Sequence, residues 1–282
     1  MKTAVTMISV GGRFNEGKID VHGFIEFCGR IGVDGVDLLE YYWKDKPREM
    51  KAIPGWLADN NLVLSAFAIG NNFAVSNPRK MQEQVDYVKK GIDTAAVLGA
   101  KTLRIFGGHL SPDGINNREE GMEAIVYGIS RCIDHAKANR VVLALENHGD
   151  LPGRSDQVLR ILNQFQSDYL KATIDIANFI ANNMNAKEDP VSATKALVGR
   201  AAHCHVKDFA DNPAATGKVK ACVLGEGKTP IRECLQVLKN GGYQGFLSLE
   251  YEGHENEGVA IEDALGTEQS IRNLKKILQE VV

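Results

Sequence analysis

The chain has few of the features that would assign it to a specialised class. Of 282 residues only five are cysteine (Cys28, Cys132, Cys204, Cys222 and Cys234), and none of them stand in CxxC or CxxxC spacing. An odd, scattered set excludes a disulfide framework and reads as reduced thiols in a cytoplasmic protein. There are only eight prolines, with no Ser/Gly/Pro tract and no long charge run to mark a linker. A single domain over 1–282 is therefore expected. No apolar run approaches the roughly 20 residues of a membrane helix. The opening MKTAVTMISVGGR is too short and too polar in its apolar stretch for a secretory signal. Basic residues do not exceed acidic ones (33 against 36, net charge -3), so the footprint of a nucleic-acid binder is missing. No GxGxxG follows a strand, and there is no P-loop and no GxSxG elbow.

What the chain does have is a rhythm. Eight β-rich runs occur at 3–10, 32–39, 62–69, 101–108, 141–147, 171–177, 201–208 and 245–252. Amphipathic helical patterns lie between them, among them 78–100, 118–139 and 155–165, and a last one at 267–282 closes the chain. Ser155 is placed to cap the third of these, and Gly241-Gly242 to stop the helix IRECLQVLKN. Eight β–α alternations predict an α/β fold with a parallel sheet, and eight is the number that closes a single (β/α)8 TIM barrel.

Strand parity then separates two faces, because side chains alternate along a strand. In VVLALEN, Leu143, Leu145 and Asn147 oppose Ala144, Glu146 and His148. In KATIDIA, Ile174 and Ile176 oppose Thr173 and Asp175. In AAHCHVKD, Cys204 and Val206 oppose His203, His205 and Lys207. In GFLSLEYE, Leu247, Leu249 and Tyr251 oppose Ser248, Glu250 and Glu252. Large apolar residues face surrounding helices, and small or polar ones face a lumen. The polar residues gather at the C-terminal ends of strands, where TIM barrels build their sites. Glu146, Asp175, His205 and Glu250 should converge from four successive strands. Three carboxylates brought together repel and take up protons unless a cation is present. One imidazole with three carboxylates suits one divalent metal ion, Mn2+ or Mg2+ favoured, Co2+ or Zn2+ also compatible.

At these residues the chain resembles the xylose-isomerase-like TIM-barrel superfamily, in its sugar phosphate isomerase/epimerase group. The matching pieces are LALENH (143–148), TIDIAN (173–178), HCHVKD (203–208), LGEG (224–227) and LSLEYEG (247–253), in order over essentially the whole chain. The resemblance implies metal ligation by Glu146, Asp175, His205 and Glu250, with the second histidine of the HxH pair as ligand. It implies that Glu146 and Glu250 are also catalytic, moving a proton next to a carbonyl through an enediolate. The expected function is a divalent-metal-dependent sugar isomerase or epimerase, and the alternative is a dehydratase or lyase of a keto-sugar or keto-inositol. A non-catalytic carbohydrate-binding barrel is the contrasting class. Three positions depart from the ketose 3-epimerase pattern: Asn178 replaces a histidine, Asp211 an arginine and Pro152 a glutamate. Asn178 also replaces a histidine that a trinuclear zinc nuclease of the superfamily would need.

Around this centre, Lys207, His148, Glu40 and His109 are candidates for substrate binding. For Lys207 an ion pair with Asp208 or another carboxylate is the competing reading. Glu252 rivals Glu250 from further out. Tyr41, Tyr42 and Trp43 could wall a pocket, while His135 and His254 read as helix or surface residues. Glu226 of LGEG is expected beside a metal ligand's surroundings. The expected partner is a small-molecule carbohydrate, not nucleic acid or membrane, and the resemblance favours a homo-oligomer.

Overall fold

The structure, a computed structural model, describes residues 1–112, 114–180, 187–213, 219–255 and 262–281. Its strands in chain order are β1 (Lys2–Thr6), β2 (Gly35–Leu39), β3 (Val63–Ala68), β4 (Thr102–Ile105), β5 (Val142–Glu146), β6 (Leu170–Asp175), β7 (Ala201–Val206), β8 (Asp208–Asp211), β9 (Val219–Cys222) and β10 (Phe246–Leu249). Every one of the eight apolar runs contributes a strand to a closed parallel barrel, β1 through β7 in sequence and β10 closing back onto β1. The strands are shorter than the runs. Run 3–10 leaves the sheet after Thr6 and coils into a short 3-10 turn over Met7–Val10. Run 201–208 splits: β7 ends at Val206, and Asp208 starts an antiparallel hairpin, β8 on β9.

Helices fill the connections. After β1 come α1 (Gly11–Asn15) and α2 (Val21–Ile31), after β2 α3 (Lys46–Asp59), and after β3 α4 (Pro78–Leu98). β4 is followed by α5 (Arg118–Ser130) and α6 (Ile133–Asn139), β5 by α7 (Ser155–Leu162), and β6 by α8 (Pro190–Leu197). α9 (Ile231–Asn240) follows the hairpin, and α10 (Asp263–Val281) ends the fold. α4 shows why such a segment is helical. Asn77 caps it by accepting from the amides of Arg79 and Lys80, and Pro78 occupies the first turn, where a missing N–H costs nothing. Met81, Val85, Val88, Ile92 and Ala95 bury one face, and Gly99 ends the helix in the left-handed region at φ 77°.

Two expectations are corrected. The helix read over 118–139 is two helices. The Arg131 N–H is shared between Tyr127 O and Gly128 O, both at 3.2 Å, Cys132 bonds Ile129 O three residues back at 2.9 Å, and α6 restarts beyond the break. Ser155 is not the cap of α7 but its first residue, with Arg154 in the cap position. Its amide and hydroxyl both donate to the Glu188 carboxylate, at 2.8 and 2.5 Å. Val282, the end of the expected final helix, lies outside the described residues. The stop at Gly241-Gly242 holds, with Gly242 at φ 78°.

Parity sorts the core as expected. Leu143, Leu145, Ile174, Cys204, Val206, Leu247 and Leu249 are buried in the layer between barrel and helices. All five cysteines are free, and four of them are buried. Among the described residues no helix is long and apolar enough to cross a membrane.

Candidate metal centre and active site

The parallel register stacks the lumen-facing residues in layers. Asp175 pairs with His205, and His205 with Ser248, across β6, β7 and β10. Glu146 is the last residue of β5, and Glu250 follows β10 directly. The side chains of Glu146, Asp175, His205 and Glu250 converge, each offering a ligand atom within 4.8 Å of the others. The imidazole is the pivot: His205 Nδ1 lies 3.1 Å from Glu146 Oε1 and 3.2 Å from Glu250 Oε1. Asp175 turns Oδ1 toward the amides of Ala177 and Asn178 (3.0 and 3.1 Å) and is left with Oδ2 facing the cluster.

Two cations hold the outer oxygens. Arg104 Nε sits 3.3 Å from Glu146 Oε2, and Lys207 Nζ sits 3.0 Å from Glu250 Oε2. Lys207 also reaches Asp175 Oδ2 at 3.0 Å and Glu252 Oε1 at 2.8 Å. Asp208 faces the other way and accepts the amides of Gly225, Gly227 and Thr229. Below, Asp37 accepts from Ser65 Oγ and lies 2.7 Å from His203 Nε2 and 3.3 Å from His205 Nε2. None of Asp37, Arg104, Glu146, Asp175, His203, His205, Lys207 and Glu250 is more than 7% exposed.

So much buried charge is tolerated only because it is paired. Burial alone would raise Glu146, but His205 and Arg104 outweigh it and hold the carboxyl well below the usual range. Burial is likewise overcome at Glu250 by His205 and Lys207, and at Asp37 by the two histidines. Asp175 goes the other way: burial, with Glu250 and Glu146 adding repulsion against the pull of Lys207, raises it to about 6. Burial disfavours charge on His205 and Lys207 too, yet the surrounding carboxylates lift both well above their ordinary values. The protonated His205 and the ammonium of Lys207 thus balance the carboxylates.

The donor set fits a divalent ion: one imidazole nitrogen and three carboxylates, with Asp175 Oδ2 buried, turned into the cluster and held there by the Lys207 ion pair alone, without a hydrogen bond. A second group within such reach, Asp37 with His203 and His205, shares His205.

A cavity of about 590 Å³ opens above the cluster, lined in part by Glu146, Glu250, Glu252, Arg104, Phe106 and His148. Of the residues expected at substrate, His148 and Glu40 are in this wall. The Glu40 carboxylate is already engaged by Lys46 at 2.6 Å and Tyr87 Oη at 2.7 Å. Lys207 sits beneath the wall among the three carboxylates. His109 is exposed and outside the lining, its ring 6.0 Å from that of His148. Tyr41 and Trp43 do wall the cavity, while Tyr42 is buried against Phe14. Glu226 is exposed, and it is the backbone of its loop that engages Asp208. Of the departures, Asn178 is buried and donates to Asn147 O at 3.0 Å, and Asp211 is exposed and paired with Lys228.

Sequence reasoning passed over Asp37 and Arg104, although the same parity identifies both. Val36 and Leu38 flank Asp37, and Leu103 and Ile105 flank Arg104, so each polar side chain faces the lumen. Arg104 stacks on Phe106 (4.0 Å to the centroid) and donates Nη1 to Ile69 O at 3.1 Å. Its buried Nε stands 3.3 Å from Glu146 Oε2 without making a hydrogen bond, and the side chain lines the cavity.

Residues 25–277 match the family described as xylose isomerase-like TIM barrel. The chain belongs to that family. Curated relatives are distant. The uncharacterized protein YihM of Escherichia coli (strain K12) is 26% identical over 156 residues, which is 53% of this chain and 44% of YihM, so the chain spans less than half of that relative. Solved structures share the fold over the full length. The crystal structure of the IOLI protein with a zinc atom superposes with TM-score 0.81 at 17% identity, covering 100% of this chain and 99% of that one. A D-tagatose 3-epimerase-like protein gives 0.78 at 19% identity, covering 100% and 98%. D-psicose 3-epimerase crystallised with D-fructose gives 0.76 at 15% identity, covering 99% of each.

Proposed function

We propose that this family member is a divalent-metal-dependent sugar isomerase or epimerase that abstracts a proton next to a carbonyl, the whole chain acting as one catalytic domain. The observation that carries the reading is the pair Glu146 and Glu250, whose Oε1 atoms meet at His205 Nδ1 beneath a cavity at the barrel mouth. The names of the structural neighbours, two of them 3-epimerase or 3-epimerase-like and one holding zinc, support it. Glu146, Asp175, His205 and Glu250 would hold the ion, which supplies Lewis acidity that acidifies the neighbouring C–H.

The protein's own groups do the rest. One of Glu146 and Glu250 accepts the proton, and the other returns one. Return to the opposite face of the same carbon gives an epimer, and return to the neighbouring carbon gives the aldose–ketose isomer. Lys207 bonds the outer oxygen of Glu250 and the Arg104 guanidinium lies against that of Glu146, so both carboxylates are positioned by a buried cation before substrate arrives. Arg104 and His148 line the wall where sugar oxygens would bind.

The test is deuterium exchange. The protein is reconstituted with Mn2+ and incubated in D2O with ketoses, aldoses and keto-inositols, followed by NMR. Deuterium should enter a carbon next to the carbonyl, and the exchange should vanish in Glu146→Gln with Glu250→Gln. A product lacking a hydroxyl would assign the protein to the dehydratases instead. Metal bound with no exchange into any substrate would favour a non-catalytic barrel.

A further inference from the structure

The two ring nitrogens of His205 face different surroundings. Nδ1 lies between Glu146 Oε1 and Glu250 Oε1, and Nε2 lies 3.3 Å from Asp37 Oδ2. Where a divalent ion takes the place of one ring proton, the imidazole is neutral: one nitrogen keeps its N–H and the other gives its lone pair to the ion. Which nitrogen is free is therefore decided by what the opposite one bonds.

Asp37 is built to make that decision. It is buried at the middle of β2, on a strand remote in sequence from the four clustered residues. An ionised carboxylate only accepts, so each group it bonds must present a hydrogen. Oδ1 takes the hydroxyl of Ser65 from β3, and Oδ2 takes His203 Nε2 at 2.7 Å together with His205 Nε2. The second histidine also acts as a wall: the His203 ring stands edge-on to that of His205, centroids 5.2 Å apart and planes at 88°. Between that edge and the shared carboxylate, His205 has one orientation.

We propose that Asp37, held by Ser65 and His203, is the positioning residue that sets the tautomer and ring orientation of His205, so that Nδ1 and not Nε2 is offered to a divalent ion. This rests on the reading that His205 is a metal ligand. It explains why a strand that supplies none of the four converging residues carries a buried aspartate, and why the HxH pair divides its work. His205 meets the glutamates, and His203 anchors the carboxylate that aims it.

The experiment uses Zn2+ alone as the probe, with affinity measured by calorimetry in the presence of a competing chelator. Wild type, Asp37→Asn and Ser65→Ala are compared, with thermal midpoints taken without metal. Loss of such an orienting partner weakens metal binding by about 10–100-fold. Asp37→Asn should fall in that range, since an amide presents only one accepting oxygen. Ser65→Ala should move the same way by a smaller factor. ¹⁵N-histidine NMR of the zinc-loaded wild type should show His205 protonated at Nε2, and the Asp37 variant should show that resonance lost or mixed. A lowered midpoint with unchanged zinc affinity would give Asp37 a purely structural role and overturn the proposal. If Asp37→Asn does not fold, unchanged affinity in Ser65→Ala overturns it equally. A wild type that binds no zinc removes the metal site itself, and this inference with it. Zinc binding that ignores Asp37 removes the inference alone.

Discussion

The ammonium of Lys207 lies 3.0 Å from Oε2 of Glu250, both side chains buried at the barrel mouth. The same nitrogen bridges Asp175 and Glu252. One residue thus neutralises carboxylates from β6 and from the segment after β10. Breaking such a buried pair by removing one partner costs about 3–5 kcal/mol, because uncompensated charge stays behind. Lys207→Met should lower the stability of metal-free protein by that amount in urea unfolding. Added Mn2+ should recover part of the loss, since it also neutralises Asp175 and Glu250. A loss below about 1 kcal/mol, the value of a solvent-exposed pair, would contradict this assignment.

Metal removal has a matching signature. A ligand that binds only the folded state at a hundred times its Kd stabilises by about 2.7 kcal/mol. Chelation of wild type should therefore lower the thermal midpoint reversibly. The double variant Glu146→Gln with Glu250→Gln should show the same midpoint with and without metal. Identical midpoints for wild type in both conditions would count against the four-residue site.

His148 sets a pH dependence. Burial lowers its pKa from 6.5 to about 4, with Lys207 and Arg104 adding to the effect against the pull of Glu146. Between pH 6.5 and 4 the unfolded chain binds a proton at this residue that the folded chain does not, so this contribution to stability falls as pH falls. It is fully present above pH 6.5 and lost progressively toward pH 4. Subtracting the urea-midpoint profile of His148→Gln from that of wild type, both in chelator, should leave a slope confined to that window. A flat difference would show that His148 titrates alike in both states.

Gly128 tests the packing of the helix layer. It lies inside α5, where alanine is favoured by about 1 kcal/mol on propensity alone. Yet a Cβ there would overlap the ring of Phe73, which is fully buried. Overpacking of this kind costs about 1–3 kcal/mol. Gly128→Ala should therefore be destabilising in denaturant melts despite its better propensity. A stabilised variant would mean that the Phe73 ring can yield.

Much of the barrel was legible because the signals are local. Alternation at i, i+2 separates Leu143 and Leu145 from Glu146, and Val206 from His205, without any knowledge of the partner strand. The same alternation marks Asp37 and Arg104. They went unread because a lone charged residue in a strand has no meaning until its partners are known. Those partners are distant in sequence: Asp37 meets His203 across 166 positions, and Arg104 meets Glu146 on the neighbouring strand β5. The split of 118–139 into α5 and α6 escaped for another reason. The apolar pattern continues through the break, and only the change in hydrogen bonding at Arg131 and Cys132 reveals it.

The sequence by itself determined the eight-strand alternation, the face each strand turns to the lumen and the gathering of carboxylates and histidine at the strand ends, because each follows from residue periodicity. Only the tertiary structure decided which oxygens those carboxylates turn inward, that Lys207 and Arg104 lie against the outer ones, and that His205 aims Nδ1 at the glutamates while Nε2 rests on Asp37. These depend on register, closure and rotamer, and close packing of the whole barrel is what selects them.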